Sequence, residues 1–487
     1  LFVSPCDFPS NSAVHIHHFA NELVTLGFDC VVAVPNDQHL VSQMRNPLYK
    51  VTQFNQIDNL TSLFENHQTA DIVHAWTPRE LVRRYCMLLE EAYQFKLIIH
   101  LEDNESTILE RFYNNSISNL SECNIEPSIN LSHPQKYRDF LNAADGVTVI
   151  MDRLQEFIAD PVPSIVVWPG VDTEMFFPRL KDLDLARYLG IPDGSTVLCY
   201  TGNVHPANAA EVRNLYRTVG NRNRQGKSTV LLRSGVTLQE FLDPDEQWIH
   251  EYIIDLGFVE REKIPELLAL ADVLVQPGEP DVFNNYRLPS KIPEFLAMGR
   301  PVILPNTNIG RFLTHRENAI VLPSVDEVLL SDAIDLVLSD RALAQKLSEG
   351  AVAFAKTQLN WPDKGQQLKS FYLEVISQSN QERSCRSAFL RMQQWTKDLH
   401  AELEQTQSQL GQAQSQLGQT QSQLGQTQSQ LGQAQSQLGQ TQLQLGQTQA
   451  QLEQAQAQIL AMESSKFWQL RRFWFRLKTI IGFKDGE

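Results

Sequence analysis

The sequence predicts an α/β protein made of two doubly wound domains and a long coiled-coil-like helix that follows them. Three observations lead to this prediction. Short apolar runs alternate with helix-length segments up to about residue 350, these runs fall into two series, and a seven-residue repeat occupies the chain from Leu403 to about Ile459. Apolar strands that alternate with helices are typical of parallel sheets covered on both faces.

The first series of apolar runs predicts the strands of an N-terminal domain, which we assign to residues 1–168. Between most of the runs lie segments whose apolar residues are spaced as in amphipathic helices. Leu23, Val24 and Leu26 belong to one such segment, which Gly27 ends. The runs are residues 30–34, 72–75, 97–101, 147–150 and 165–168.

The second series predicts a C-terminal domain of the same kind over residues 169–350, with closing helices over residues 351–380. A turn-rich break over residues 168–172 separates the two series and contains a proline and a glycine. Two doubly wound domains joined at this point leave a cleft between them. The runs are residues 197–200, 229–232, 252–254, 273–275, 302–304 and 320–322.

The segment over residues 381–462 is dominated by a glutamine-rich heptad. Leucine recurs every seventh residue from Leu403 to Leu452, and threonine or alanine follows each leucine three residues later. Such a seam predicts a left-handed coiled coil, about 90 Å long for about 60 residues, that makes the chain a homo-oligomer. The alternative is a low-complexity spacer, because the glycine after most leucines costs about 1 kcal/mol relative to alanine.

The segment over residues 463–487 is basic and aromatic. On a helix its apolar residues form one stripe flanked by arginines and lysines, which suits the surface of an anionic membrane over residues 465–481. The alternative is a short helix that docks on its own protein or on a neighbouring coiled coil. The stripe consists of Phe467, Leu470, Trp474, Leu477 and Ile481.

Composition narrows the class of function. The 487 residues carry a formal net charge of −16, which argues against general nucleic-acid binding. The six cysteines stand singly, so we expect neither a disulfide framework nor a zinc site. No apolar stretch reaches the roughly 18 residues that span a bilayer, and we expect a cytoplasmic protein. The chain starts at Leu1 inside an apolar run, so we expect a few residues ahead of it and no signal peptide.

A loop after the run 273–275 carries the most informative polar residues. It ends where a helix opens with Ser290 and Lys291, and Pro293 fits only the first turn of that helix. Lys291 and Glu294 are therefore neighbours at a helix N-terminus, where phosphate binds well. Arg287 would add positive charge, and Glu294 could accept hydrogen bonds from a ribose diol. The alternative is a capped helix with a surface ion pair.

This loop and helix resemble a known family. Residues 289–303, PSKIPEFLAMGRPVI, are similar to the donor-site motif of retaining GT-B glycosyltransferases of glycosyltransferase family 4, the glycosyl transferases group 1. Further segments resemble the same family in the same order, and the resemblance covers residues 1 to about 375. They are DIVHA at 71–75, ADGVTVI at 144–150, WPGVDTEMFFP at 168–178, LGFV at 256–259 and LLALADV at 267–273.

The resemblance implies the GT-B architecture and a retaining, hexosyltransferase-like enzyme. A nucleotide-sugar would bind to the second domain, and a glycan, lipid-linked or other acceptor would bind to the first. Glu294 would bind the ribose, Lys291 and Arg287 would lie near the diphosphate, and the phosphates would approach the backbone at Gly202. The resemblance implies no metal and no cofactor beyond the donor substrate, and no DxD-like motif is obvious.

Several positions depart from the family pattern. The first glutamate of its E-x7-E motif falls at Tyr286, so whether activity survives is open. Asn203 and Asn208 replace the usual arginine and lysine after Gly202, and Arg233 at the end of the next strand could compensate. A catalytically inactive scaffold or sugar-binding protein organised by the coiled coil is therefore the alternative function. A dehydrogenase is disfavoured because no GxGxxG follows the first strand.

The first domain departs from the family pattern as well. The usual Gly-Gly loop is replaced by small polar residues, Ser10, Asn11 and Ser12, which could still cap a helix and offer amides to acceptor or phosphate. The expected active-site histidine is replaced by an acidic cluster. We take Glu102 and Asp103 as catalytic candidates that orient an acceptor hydroxyl or accept its proton. The alternative is that these acids cap the next helix near Ser106.

Three histidines, His15, His17 and His18, stand close together on the first predicted helix. His15 and His18 share a face, but the group lacks a carboxylate partner. Such histidines more often pack or face solvent than bind metal, and we expect no metal site here. The sequence thus predicts a cytoplasmic glycosyltransferase, peripheral at the inner face of a membrane, that builds a surface polysaccharide or a glycolipid.

Overall fold

The computed structural model describes residues 1–122, 127–238, 240–378 and 385–480. The chain forms two compact units, Leu1–Ser379 and Asn380–Glu487. The first unit contains both sheets and the second contains the heptad repeat. Cys123, the side chain of Cys385 and Ile481, which figured in the sequence predictions, lie outside the described part.

The first sheet has seven parallel strands in the order β3-β2-β1-β4-β5-β6-β7. Valine and alanine fill β2, and all four of its side chains are buried, as its apolar run predicts. The strands are β1 (Phe2–Val3), β2 (Val31–Val34), β3 (Lys50–Gln53), β4 (Ile72–Trp76), β5 (Lys96–Leu101), β6 (Gly146–Val149) and β7 (Ser164–Val166).

Helices cover both faces of this sheet. The Asn104 side chain caps α3 by accepting a hydrogen bond from the Thr107 amide, so the helix begins at the residue after it. The helices are α1 (Asn11–Thr25), α2 (Glu80–Ala92), α3 (Glu105–Tyr113), α4 (Ile117–Glu122) and α5 (Lys136–Asn142), and a 3₁₀ segment over Asp152–Phe157 follows β6.

The second sheet has six parallel strands in the order β10-β9-β8-β11-β12-β13. The strands are β8 (Thr196–Thr201), β9 (Thr229–Ser234), β10 (Ile253–Asp255), β11 (Val273–Val275), β12 (Val302–Pro305) and β13 (Ile320–Leu322). The helices are α6 (Leu183–Tyr188), α7 (Ala209–Arg224), α8 (Ile264–Leu270), α9 (Lys291–Ala297) and α10 (Glu327–Ser339). The prediction of two doubly wound domains is confirmed.

The chain passes between the two sheet domains twice. Residue 350, the end of the second domain predicted from the sequence, lies inside α11 (Arg341–Gln358). The next helix, α12 (Trp361–Ser377), returns to the first domain and packs on α1. There the Tyr372 hydroxyl lies 2.7 Å from His74 Nδ1. The two passages touch, because the Val171 amide donates to the Leu359 carbonyl at 2.7 Å.

Over its described residues, 385–480, the second unit forms two helices, α13 (Cys385–Ser464) and α14 (Lys466–Ile480). The long helix predicted from the heptad is confirmed. Its repeated leucines share one face and are 55–60% exposed from Leu403 to Leu452. Among the residues described, no helix is both long and apolar enough to cross a membrane.

Candidate functional site

The strand order of each sheet places a candidate site at its switch point. In the second sheet the order reverses between β8 and β11, and ligands of doubly wound domains bind at the carboxyl ends of such strands. Gly202 follows β8 directly, and the loop over residues 276–290 follows β11 and leads into α9. We call residues 276–290 the donor loop.

Gly202 allows the Lys291 side chain to lie directly against the backbone. Its φ is +150°, and an added Cβ would lie 2.7 Å from Lys291 Nζ. Gly235 is needed for the same close packing, because a Cβ there would lie 2.4 Å from the Gly202 carbonyl. Only glycine at both positions lets these loops and the ammonium group come together.

The Lys291 ammonium group has no acidic partner among the described residues. Its Nζ lies 3.4 Å from the Tyr200 hydroxyl and 4.5 Å from the centre of the Tyr200 ring. Burial, and then the positive charge of Arg287, lower the pKa of Lys291 to about 7. A partly buried cation without a carboxylate partner is suited to binding an anion.

A chain of hydrogen bonds fixes Arg287. Its Nε donates to Asn284 Oδ1 at 3.1 Å, and its guanidinium lies 4.3 Å from the centre of the Phe283 ring. The Asn284 amide donates in turn to Glu211 on the first turn of α7. Arg111 from α3 reaches the same Phe283 ring at 4.5 Å, so the first domain also brings a cation to the donor loop.

Glu294 on α9 is nearly buried, and its ion-pair partner is Arg261 rather than Lys291. Its Oε1 lies 2.7 Å from the Arg261 guanidinium, which comes from the segment before α8. The alternative read from the sequence, an ion pair between neighbouring residues of one helix, is therefore replaced by a longer-range pair. A ribose hydroxyl that binds Glu294 has to share that carboxylate with Arg261.

Other predicted residues of the second domain support its loops. Arg233 is 1% exposed on β9, and its guanidinium binds Asp255 and Thr237. The Asn208 amide donates to the Asn203 carbonyl at 2.9 Å, and its oxygen accepts from the His205 amide at 2.9 Å. The two asparagines that replace basic residues thus hold the loop after Gly202 in shape.

In the first domain Glu102 follows β5 and is held by three side chains. Ser12 Oγ donates to it at 2.5 Å, Trp76 Nε1 donates to it at 2.8 Å, and His15 Nδ1 lies 3.4 Å away. Burial alone would raise its pKa, but the hydrogen bond and charge of His15, with help from His100 and Ser12, lower the pKa to about 2. Glu102 is therefore a stable anion that anchors the start of α1.

Asp103 lies beside Glu102 but is held less tightly. Arg79 lies 3.5 Å from its carboxylate, and burial raises its pKa. The positive charge of Arg287 in the donor loop opposes that rise in the pKa of Asp103. An acid with a raised pKa is better suited than Glu102 to accept a proton.

The start of α1 carries the small polar residues predicted to face acceptor or phosphate. Asn11 is the first residue of the helix, and Ser10 precedes it in an extended conformation without capping the helix through its side chain. Ser10 Oγ instead lies 2.5 Å from Cys6 Sγ. Ser12 is the member of this group that reaches the acidic cluster.

The three histidines of α1 have different main partners, although the His17 and His18 rings also meet edge to face with centres 4.9 Å apart. His15 contacts Glu102, His17 Nδ1 lies 2.8 Å from the Tyr49 hydroxyl, and His18 stacks on Trp361 with ring centres 4.5 Å apart. In the described parts of the chain no group of three or more His, Cys, Asp and Glu residues is arranged to hold a metal ion.

Sequence reasoning missed several side chains of this site. Glu211 resembles an ordinary acid in the first turn of a helix, and only tertiary burial distinguishes it. Burial raises its pKa to about 7. Thr77, directly after β4, gives no pattern signal either, yet it is fully buried with φ +73°, a strained conformation for a β-branched residue.

Comparison with known proteins identifies the second domain. Residues 195–340, which include Gly202, Arg287, Lys291 and Glu294, match the family described as Glycosyl transferases group 1. The second domain is similar to the glycosyl transferases group 1. The part of the chain that carries the predicted donor residues thus agrees with the resemblance found in the sequence.

Two curated proteins to which this chain is similar have named activities. The D-inositol 3-phosphate glycosyltransferase of Stackebrandtia nassauensis is 24% identical over 250 residues, 48% of this chain and 53% of the relative. The alpha-D-kanosaminyltransferase of Streptomyces kanamyceticus is 25% identical over 120 residues, 24% of this chain and 30% of the relative. The chain spans about half the length or less of these relatives.

Solved structures extend the likeness to both sheet domains. A sucrose-phosphate synthase from Thermosynechococcus elongatus has a TM-score of 0.57 and 14% identity, covering 77% of this chain and 98% of that one. The Anabaena protein Alr3699/HepE in complex with UDP-glucose has a TM-score of 0.56, 14% identity and the same coverage. These likenesses show the GT-B architecture predicted from the sequence.

Proposed function

We propose that this chain is a retaining glycosyltransferase that moves a sugar from a nucleoside diphosphate to an acceptor held in the cleft. The observation that carries the proposal is the Lys291 ammonium group, which lies against Gly202 without a carboxylate partner among the described residues. The family match of residues 195–340 and the UDP-glucose complex of Alr3699/HepE support a nucleotide-sugar as donor.

The donor residues have separate roles in this proposal. Lys291 and Arg287 neutralise the diphosphate, whose oxygens approach the backbone at Gly202, and Glu294 accepts hydrogen bonds from the ribose. Arg233 supports this site from β9 rather than touching the phosphates. Because fixed cations stabilise the charge that develops on the leaving diphosphate, these side chains can take the part that a metal ion plays elsewhere.

The acceptor enters from the first domain. Its hydroxyl oxygen attacks the anomeric carbon from the face that the diphosphate leaves, and the proton passes to the departing phosphate oxygen, which retains the configuration. Asp103 orients the attacking hydroxyl, while Glu102 holds Ser12 and the loop of Ser10 and Asn11 in place. Acceptors with several hydroxyls, such as a glycan or a lipid-linked sugar, suit this cluster, and the D-inositol 3-phosphate in the name of the Stackebrandtia relative also carries several hydroxyls.

A donor-binding experiment tests the proposal. We expect UDP or another nucleoside diphosphate to raise the Tm of the full chain, and the matching sugar conjugate to be hydrolysed or transferred. Lys291→Ala and Glu294→Ala should abolish both effects without loss of folding. Lys263→Ala is the matched control, because Lys263 is exposed and pairs with Glu260 outside the site.

A catalytically inactive scaffold is the second candidate. It is favoured by Tyr286, which stands where the family motif has a glutamate and donates its hydroxyl to Glu156 of the first domain. Nucleotide binding with no turnover on any acceptor, and no hydrolysis, would support the scaffold and contradict the enzyme.

The leucine face of α13 fits a second copy of this chain. Its leucine period is seven residues from Leu403 to Leu452, and glutamine rather than charge flanks the seam there, so an identical repeat is a matching partner. Light scattering on the full chain should give a mass above that of one copy. Leu424→Asp with Leu438→Asp should give the monomer mass, whereas Ser422→Asp with Ser436→Asp on the opposite face should not.

The α14 helix fits an anionic membrane surface at the cytoplasmic face. Its aromatic side chains are exposed, including Trp474 at 67% and Phe467 at 72%, and Arg471 stacks on Trp468 at 4.7 Å. Deletion from Lys466 should abolish sedimentation with phosphatidylglycerol vesicles, and Thr479→Ala should not. Unchanged sedimentation after the deletion would favour docking of α14 on protein instead.

A further inference from the structure

Glu211 occupies an unusual position beneath the donor loop. It lies on the first turn of α7, and its Oε1 accepts the hydrogen bond of the Asn284 amide. An added Cβ at Gly278 would lie 3.7 Å from the same oxygen, so the carboxylate is packed under the loop itself. An acid whose only role was a favourable interaction with the helix dipole could remain exposed to solvent.

The second carboxylate oxygen has no hydrogen-bond partner in the part of the chain that the structure describes. Glu211 Oε2 is buried and makes no hydrogen bond to the described residues. The charged groups that face it are Arg287 and Asp281 from the donor loop and Lys291 from α9. Neither cation forms an ion pair with it within 4 Å in the described part of the chain. A buried carboxylate oxygen without a hydrogen bond lowers the stability of the fold, so its retention here indicates a functional role.

Asn284 transmits the position of Glu211 to Arg287. Its amide nitrogen donates to Glu211, and its amide oxygen accepts from Arg287 Nε at 3.1 Å. If the carboxylate is removed, the amide is free to rotate and the guanidinium loses its fixed direction. If a diphosphate arrives beside Arg287 and Lys291, the unpartnered oxygen meets additional negative charge and favours its protonated form.

We propose that Glu211 is a positioning residue of the donor site, which aims Arg287 through Asn284 and takes up a proton when a nucleoside diphosphate binds. The proposal rests on the donor site described under the proposed function. A proton placed on Oε2 removes the repulsion between carboxylate and phosphate while the hydrogen bond to Asn284 remains. The raised pKa of Glu211, about 7, agrees with this exchange.

Calorimetry with UDP on the full chain tests the proposal. In two buffers of different ionisation enthalpy at pH 7.5, the heats give both the affinity and the number of protons taken up. Glu211→Gln keeps a hydrogen-bond acceptor for Asn284, so UDP should bind at least as tightly, with about half of the proton uptake. Glu211→Ala should weaken binding about tenfold, and Asn284→Ala should match it without adding to it in the double variant.

Glu279→Gln is the control, because this acid is exposed on the same loop. It should change neither affinity nor proton uptake. The inference is overturned if Glu211→Ala binds UDP like the parent chain, or if Glu211→Gln loses as much affinity as Glu211→Ala. If the parent chain binds none of UDP, GDP and pyrophosphate, the proposed donor site itself is wrong. If the parent chain binds one of them and only the Glu211 variants depart from expectation, the donor site stands and the role of Glu211 is wrong.

Discussion

The Tyr286 hydroxyl in the donor loop donates a hydrogen bond to Glu156, which belongs to the 3₁₀ segment after β6 in the first domain. The Tyr286 ring also lies 5.5 Å from that of Phe157 in the same segment. Arg311 of the second domain pairs with Asp152 there. The position that holds a carboxylate in the related motif is thus used to join the two domains.

We expect Tyr286→Phe to weaken this junction mildly, because one hydrogen bond is worth about 1 kcal/mol. Tyr286→Glu should weaken the junction further, because its carboxylate would repel that of Glu156 and favour an open cleft. Small-angle scattering should then report a larger radius of gyration for Tyr286→Glu than for Tyr286→Phe. Equal radii for the two variants and the parent would show that this contact does not hold the domains together.

Nucleotide affinity should fall as pH rises above about 7. Burial and Arg287 lower the pKa of Lys291 to about 7, so the free ammonium loses its proton above that pH, and an anionic ligand has to restore it. Lys291→Arg should flatten the dependence, because a guanidinium stays charged. UDP titrations between pH 6 and 9 measure this, and an equally steep fall in Lys291→Arg would contradict the assignment.

Glu102 should contribute stability that disappears in acid. Its folded pKa, about 2, lies below the ordinary value of 4.5, so the contribution is complete above about pH 4.5 and is lost as pH falls towards 2. The shift corresponds to at most about 3 kcal/mol. Urea unfolding of Glu102→Gln at pH 7 and pH 3 should show a large deficit at pH 7 and a smaller one at pH 3. An equal deficit at both values would be inconsistent with an ionised anchor.

Gly202→Ala should weaken nucleotide binding more than it lowers the stability of the folded chain. The added methyl group would lie 2.7 Å from Lys291 Nζ and force the ammonium away from the backbone, so we expect at least a tenfold loss of UDP affinity. Gly226→Ala is the matched control, because φ there is +77° but nothing lies within 4 Å of the new atom. Loss of stability without loss of affinity at Gly202 would mean that the phosphates bind elsewhere.

Alanine in place of the repeat glycines should stabilise α13. A Cβ at Gly411 or Gly425 meets open space, and alanine exceeds glycine in helix propensity by about 1 kcal/mol per residue. Circular dichroism of the full chain should show more helix and a higher melting temperature for that segment. A spacer without helix would show no change, which would favour the low-complexity alternative.

The sequence allowed both sheets to be predicted because their strands are apolar on both faces. It missed β3, since Lys50–Gln53 is an edge strand with polar side chains and no continuous apolar run. Glu102 could be singled out by its place after a strand. Its hydrogen bonds to Ser12 and Trp76 could not be predicted, because these residues are 90 and 26 residues away in the chain.

Tertiary contacts also decide how the donor residues can act. Arg233 looked available from its place at a strand end, but its side chain is buried and its Nη1 binds Asp255 and Thr237. Lys291 and Glu294 are neighbours on one helix turn, yet the partner of Glu294 comes from a different element. Local spacing therefore predicts a candidate site, while long-range pairing determines which of its charges have an ion-pair partner among the described residues.

The two passages between the sheet domains constrain how the cleft can move. Because the Val171 amide is bonded to the Leu359 carbonyl, and Gly170 packs directly on Trp361, the outgoing and returning segments run side by side. Such a double connection bends about one axis but resists torsion. Opening would then be a hinge rotation about that axis. Excising the first domain with a single cut would leave it without α12, which supplies part of its core.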